Sequence, residues 1–392
     1  MRLRCISCKA EYEPDPWLFR CPRCGGLLDV VHDKVDPTPS QGQGVWRYHK
    51  ALPRVRRRIS LGEGGTPLIR LSSTRHERVY LKFEGANPTG SFKDRGMAVA
   101  VSIALDAGAR AVLAASTGNT SASAAAYAAR AGLRSIIVLP RGRVAKGKLF
   151  QAMLHGAKIV EVEGSFDEAL KAVMSYIEEE KGLVYPVNSF NQWRLEGQKT
   201  LAYEVAGELG DAPDYVIVPV GNAGNISAIW KGFKDLYRAG VTSRLPVMIG
   251  VQARGASPLA TMAERGLNEP AWFDKPETIA TAIRIGRPIN WQRALEAVRE
   301  SGGTFIAVSD QDILEAQKTL ARREGIGVEP ASAAPYAGLT KLRQKLPEDA
   351  TIVLVATGHS LKDPGIGVET EIYHAPTTED AVKLIKDIAS KS

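Results

Sequence analysis

An amine can act as nucleophile or proton acceptor only when it is neutral. Lys93, in the stretch NPTGSFKDRG (87–96), follows a Pro/Gly turn and precedes an alanine-rich run. Asp94 to Ala107 reads as a helix, so Lys93 falls at or just before its first turn. The partial positive charge of a helix N-terminus disfavours an ammonium there and lowers the lysine pKa. A solvated cation at a helix start is the other reading of the same stretch. The second group with obvious chemistry is Cys5, Cys8, Cys21 and Cys24, two C-x-x-C pairs across a short loop. Four thiolates at this spacing match a tetrahedral zinc ribbon and leave the metal no open position for a substrate. A metal-free ribbon, or a pair of disulfides, would carry the same spacing.

Three further stretches end an apolar run with small and hydroxylated residues. DYVIVPVGNAGNISAIWKGF passes through Gly221, Asn222, Ala223, Gly224 and Asn225 into a helix. Small residues there let several N–H groups point outward at a helix start, which makes a phosphate cradle, although a tight ligand-free turn has the same composition. The G-x-x-x-x-G-K-[ST] loop and the full G-x-G-x-x-G fingerprint are both missing, which disfavours ATP and NAD. LAASTGNTSASAAAYAARAG has the same design, with Asn119 where a ligand contact belongs. IVLVATGHSLKDP ends a third run at Thr357, Gly358, His359 and Ser360. No G-x-S-x-G elbow accompanies His359, so it reads as a structural hydrogen-bonder rather than a triad member.

The elements that must position these loops are legible as alternation. RVYLKFEG, AVLAAST, SIIVLP, AKIVEVEG, DYVIVPVG, VMIGVQA, TFIAVS and TIVLVATG are short β-rich runs with helical patterns between most of them. This predicts an α/β fold of parallel sheets covered by helices on both faces. The chain has 392 residues, 44% of them hydrophobic, enough for two or three lobes. No apolar run approaches the ~20 residues of a membrane span, and MRLRCISCKA has no signal-peptide core, so a cytoplasmic protein without a membrane partner is expected. All the cysteines lie within the first 24 residues, which leaves the body no disulfide framework. The Pro/Gly/Gln-rich passage VDPTPSQGQGVWRYHK reads as a linker after the ribbon. A net charge of +8 and the run Arg54 to Arg58 (RVRRR) admit nucleic acid as a partner, but a solvated linker edge explains the run as well, and nucleic acid is not expected.

A lysine amine, a phosphate cradle and side-chain hydrogen bonders at strand ends suit one small molecule carrying an aldehyde, a phosphate and a ring: pyridoxal phosphate. Taken together, NPTGSFKDRG, STGNTSASAAAYAARAG, VPVGNAGN, GVEPASAA and ATGHSLKDP resemble the fold-type II pyridoxal-phosphate enzymes (tryptophan synthase β-like) and, within them, the threonine synthase family. The resemblance covers roughly Leu61 to the end, and the ribbon is similar to one found ahead of some prokaryotic members. It implies an α/β fold of two parallel-sheet lobes with an N-terminal zinc-ribbon-like segment, divided as 1–44 (ribbon and linker), 45–95 with 191–392 (large, cofactor-binding lobe) and 96–190 (small lobe), in a homodimer. Lys93 is implied as the Schiff-base lysine and general base, Asn119 as partner of the ring hydroxyl, Gly221 to Asn225 as the phosphate loop, and Thr357 as partner of the pyridine nitrogen.

For the substrate the resemblance implies O-phospho-L-homoserine, converted with water to L-threonine and phosphate by γ-elimination and β-replacement. Thr120, Ser189 and Arg194 in NSFNQWRLEGQK, with Asn222, would bind it. Arginine offers phosphate a planar fork of donors, while a solvated arginine on an amphipathic helix is the plain alternative. Sister readings are an O-phosphoserine-using cysteate or cysteine synthase and a threonine dehydratase. Ser360 stands where the family commonly has glycine, close enough to the ring to bear on substrate fit. Glu329 lies in a family motif without an evident chemical role.

Overall fold

The computed structural model describes residues 1–74, 76–141, 146–164, 166–180, 182–364 and 372–390. The chain opens with β1 (Arg2–Cys5), β2 (Glu11–Tyr12) and β3 (Leu28–Val31), a small antiparallel sheet in the order β2-β1-β3. Residues 44–51, all but the last inside the passage read as a linker, instead wind into a 3-10 helix and bury Val45, Trp46 and Tyr48. Their apolar surface outweighs the turn residues ahead of them, and the Trp46 indole donates to the Ile59 carbonyl at 2.8 Å.

Two sheets build the body. Strands β4 (Leu68–Arg70) and β5 (Val79–Phe83) lead into α1 (Lys93–Asp106), and then β6 (Ala111–Ala115), α2 (Asn119–Ala131), β7 (Arg134–Pro140), α3 (Lys146–Leu154), β8 (Lys158–Val162), α4 (Phe166–Glu179) and β9 (Val184–Pro186) alternate. Next come α5 (Gln192–Gln198), α6 (Thr200–Leu209), β10 (Tyr215–Pro219), α7 (Gly224–Arg238), β11 (Val247–Ala253), α8 (Pro258–Arg265) and α9 (Trp291–Glu300). The remainder is β12 (Thr304–Val308), α10 (Asp310–Glu324), α11 (Pro330–Leu342), β13 (Ile352–Ala356) and α12 (Thr378–Ser390). One sheet runs β8-β7-β6-β9, all parallel; the other runs β12-β11-β10-β13-β5-β4, parallel except for β4. All the apolar runs singled out in the sequence are strands, and β13 is buried at each of its residues, as a central strand covered on both faces must be. The short β4 and β9 escaped the sequence pattern because three residues cannot establish a period.

A close approach of two helices sets where Arg194 lies. A Cβ on Gly197 of α5 would stand 1.9 Å from the Arg95 carbonyl of α1, and one on Gly96 would stand 2.7 Å from the Arg194 carbonyl. Two glycines therefore let α1 and α5 touch backbone to backbone, which draws the segment carrying Arg194 towards the helix that begins at Lys93.

Candidate active site

Lys93 is the first residue of α1, one position earlier than the sequence pattern suggested. Gly90, at φ 81°, closes the preceding turn with its N–H on the Asn87 carbonyl at 2.8 Å. The chain then pairs with the loop after β13: Phe92 N–H donates to the Thr357 carbonyl (3.0 Å) and His359 N–H to the Gly90 carbonyl (3.0 Å). These bonds hold Lys93 beside Thr357. The Lys93 amine is drawn down to about 7, first by burial and then by the charge of Arg194, with Glu329 working the other way. The direction matches the sequence expectation, yet burial and a neighbouring arginine are causes that a helix start alone did not reveal. Among the described residues Lys93 makes no hydrogen bond or carboxylate pair, and its Nζ lies 4.0 Å from the centre of the Phe92 ring.

At the end of β10 the chain turns through Gly221 and Asn222 to Ala223, which sits at φ 65° and precedes α7. A left-handed alanine costs about 1 kcal/mol or more. What the turn gains is a helix start whose first N–H groups have no carbonyl of their own helix to meet. Space at Gly221 is tight, since a Cβ would come within 3.1 Å of the Ala282 carbonyl. Asn222 is anchored from outside, its carbonyl accepting the Asn290 N–H at 3.2 Å. Among the described residues, buried Asn225 finds no partner for either amide atom. Orphaned donors at a helix start suit a phosphate, and this is the respect in which the loop fits the cofactor's anionic end.

Asn119 begins α2 and donates its amide to both carboxylate oxygens of Glu329, at 2.9 and 3.2 Å. Burial lifts Glu329 to about 7, with the Asn119 hydrogen bond opposing. Its backbone N–H meets the Gly358 carbonyl at 3.1 Å, and a Cβ on Gly358 would stand 2.5 Å from its Oε1, so a side chain there would have to displace the Glu329 carboxylate. The Thr357 and Ser332 hydroxyls lie 2.9 Å apart, both buried. Glu329 thus connects Asn119, Gly358 and, through its charge, Lys93. The sequence offered one signal for this role, a carboxylate in the otherwise small and apolar GIGVEPASAAP. His359 is a structural hydrogen-bonder, its Nδ1 accepting the Leu361 N–H at 3.1 Å. The Ser360 hydroxyl lies 3.4 Å from that same nitrogen, and a Cβ on Gly327 would come within 2.7 Å of it.

Arg194 on α5 is 2% exposed, which excludes the solvated-helix alternative. Its Nη1 donates to the Val187 carbonyl at 2.9 Å, while Nε is buried without a partner among the described residues. Among the described residues no carboxylate pairs with it, and burial draws it down to about 10. An uncompensated buried guanidinium is costly, and an anion would relieve it. Ser189 lies on the same segment, its carbonyl accepting from the Asn290 amide at 2.9 Å. Ser189, Thr120, Asn119, Asn222 and Lys93 all keep partial exposure.

The ribbon sulfurs of Cys5, Cys8, Cys21 and Cys24 all lie within 4.8 Å of one another, and the cysteines are free. The two C-x-x-C turns repeat one geometry. Lys9 (φ 62°) and Gly25 (φ 70°) occupy equivalent positions and donate their N–H groups to the Cys5 and Cys21 carbonyls.

Residues 59–358 match the family described as "Pyridoxal-phosphate dependent enzyme". The chain is 48% identical to a threonine synthase of Methanosarcina acetivorans over 97% of its own length and 96% of that protein's. It is 50% identical to a threonine synthase of Methanocaldococcus jannaschii, covering 99% and 98% of the two chains. Among solved structures, the threonine synthase of Escherichia coli superposes with a TM-score of 0.71 at 20% identity over 92% of this chain and 89% of that one, a likeness of fold.

Proposed function

The chain belongs to the family of pyridoxal-phosphate dependent enzymes, and from that premise we propose that it acts as a threonine synthase, converting O-phospho-L-homoserine and water to L-threonine and phosphate. The observation that carries the substrate is Arg194, a buried guanidinium with a free Nε and no acid among the described residues, beside a lysine of depressed pKa. The threonine consumed by a dehydratase has no phosphate to offer it, so the same arginine speaks against that sister reaction. An O-phosphoserine-using synthase is the reading it leaves in competition.

Each residue then has a task. Gly221 to Asn225 would hold the cofactor's phosphate and Lys93 its aldehyde carbon; Asn119 would meet the ring hydroxyl and Thr357 the ring nitrogen. Bound there, pyridoxal phosphate supplies a sink for the electron pair left when the substrate loses the proton next to its amine. A neutral hydroxyl at Thr357, unlike a carboxylate, would leave the ring nitrogen largely unprotonated. With a pKa of about 7, the Lys93 amine is substantially neutral at neutral pH and can take that proton and return it. Arg194 would grip the leaving phosphate, with Thr120, Ser189 and Asn222 around the substrate. Glu329, lifted to about 7, would orient Asn119.

In the ribbon we read a structural zinc site at Cys5, Cys8, Cys21 and Cys24. A tetrahedral zinc with bonds of about 2.3 Å needs sulfurs about 3.8 Å apart, and the cluster is of that size. No described helix is long and apolar enough to cross a membrane; a cytoplasmic homodimer completes this reading. Zinc content and solution mass of the reduced protein test both. The reaction itself is tested by supplying O-phospho-L-homoserine or O-phospho-L-serine in separate incubations. Threonine and phosphate from the first alone are expected, whereas turnover of the second alone would move the enzyme to the sister reaction.

A further inference from the structure

The ribbon's docking surface is the segment 184–198. Trp17 and Phe19 stand edge-on to Tyr185, with centroids 5.2 and 5.3 Å away, and Phe19 also meets Phe190 at 6.0 Å. The Gln192 amide donates to the Leu18 carbonyl at 2.8 Å. His32, just after β3, places Nε2 2.6 Å from Oε2 of Glu196. Glu196 is fully buried and also meets Lys199 (2.8 Å) and Lys231, and Lys231 in turn reaches Asp29 and the Val30 carbonyl of β3. A second route runs from the Leu28 carbonyl to Arg293, from Arg293 to Asn290, and from Asn290 to the Ser189 carbonyl.

Most of these contacts converge on the stretch that holds Val187, the acceptor of Arg194, together with Ser189 and Arg194 themselves, although Asn290 also anchors the Asn222 carbonyl. On its other side α5 is held by α1 through the Gly96 and Gly197 contacts. Among the described residues, Lys93, Asn119, Asn225 and Thr357 make no hydrogen bond or ion pair with the ribbon. We propose that the ribbon is a positioning module for the substrate's phosphate site, with Phe19 and His32 as positioning residues that fix the Ser189 loop and α5 so that Arg194 faces its anion. This rests on the reading of Arg194 as the phosphate-binding arginine. The cationic site is costly to build and a shift of about 1 Å in a positioned group can cost up to ~100-fold, which gives a physical reason to brace the segment from both sides.

The test uses the holoenzyme and its His32→Ala, His32→Gln and Phe19→Ala variants. Inorganic phosphate is titrated by calorimetry, and KM and kcat are measured with O-phospho-L-homoserine. The expected result is a roughly tenfold weakening of phosphate binding and a matching rise in KM in His32→Ala and Phe19→Ala. Values of kcat and cofactor content should stay near wild type, and His32→Gln, which keeps a donor for Glu196, should restore binding. Unchanged phosphate affinity in both alanine variants overturns the proposal, as does a parallel loss of cofactor or a wild type that binds no phosphate. A wild type that binds phosphate but makes no threonine overturns the reaction assigned above, while the titration still decides the ribbon's role.

Discussion

Arg95 and Arg194 lie on two helices that touch, at 0% and 2% exposure, and their surroundings could hardly differ more. Arg95 is enclosed by carboxylates, with Nε 2.6 Å from Glu84 and Nη2 2.7 Å from Glu204, and its pKa is raised despite burial because those charges outweigh it. Glu204 also takes Lys82 at 3.1 Å, which extends a closed network. Arg194 has one backbone carbonyl and an idle Nε, and its pKa is lowered. Equal burial therefore says little about purpose; the partners decide. A charge that the fold has neutralised fastens elements together, and a charge left without a counterion is available to a ligand.

The largest effect should come from the closed network. Arg95→Met strands Glu84 in the interior and leaves Glu204 only its lysine and outer arginine, and should cost about 3–5 kcal/mol of unfolding free energy, read from urea denaturation. An unfolding midpoint equal to wild type would mean that the network contributes little. Smaller, and opposite in kind, is the effect expected on acidity. Lys93 sits near 7 with burial as the main cause and the Arg194 charge as the second. Turnover should therefore fall as pH drops below about 7, where the amine becomes an ammonium that cannot accept a proton. Arg194 lowers this pKa, so Arg194→Gln should raise it and move the acid limb of kcat to higher pH. A limb that stays in place or moves to lower pH would separate the two residues electrostatically.

The same pair of arginines marks where sequence reading succeeds and stops. The buried β runs announce themselves by composition, and the turn NPTG located the start of α1 to within one residue, because both signals are local. Arg194 is different. Its burial depends on Gly197 meeting the Arg95 carbonyl, on Gly96 meeting its own carbonyl, and on Val187 just past the end of β9, none of which a periodicity can show. Glu329 stayed without a role for the same reason, since its partner Asn119 lies 210 residues away. The ribbon's cysteine spacing pointed to metal chemistry but was silent about the aromatic and ionic contacts that fasten Phe19 and His32 to the body.

The most direct test compares unfolding and kinetics in Arg194→Met. If Arg194 is the substrate's phosphate site, its removal should leave the unfolding free energy within about 1 kcal/mol of wild type, or raise it, because an unpaired buried cation is lost. KM for O-phospho-L-homoserine should rise about 100-fold, the equivalent of one or two charge-assisted hydrogen bonds. Destabilisation of several kcal/mol with KM unchanged would contradict the account, because Arg194 would then be a fastening like Arg95.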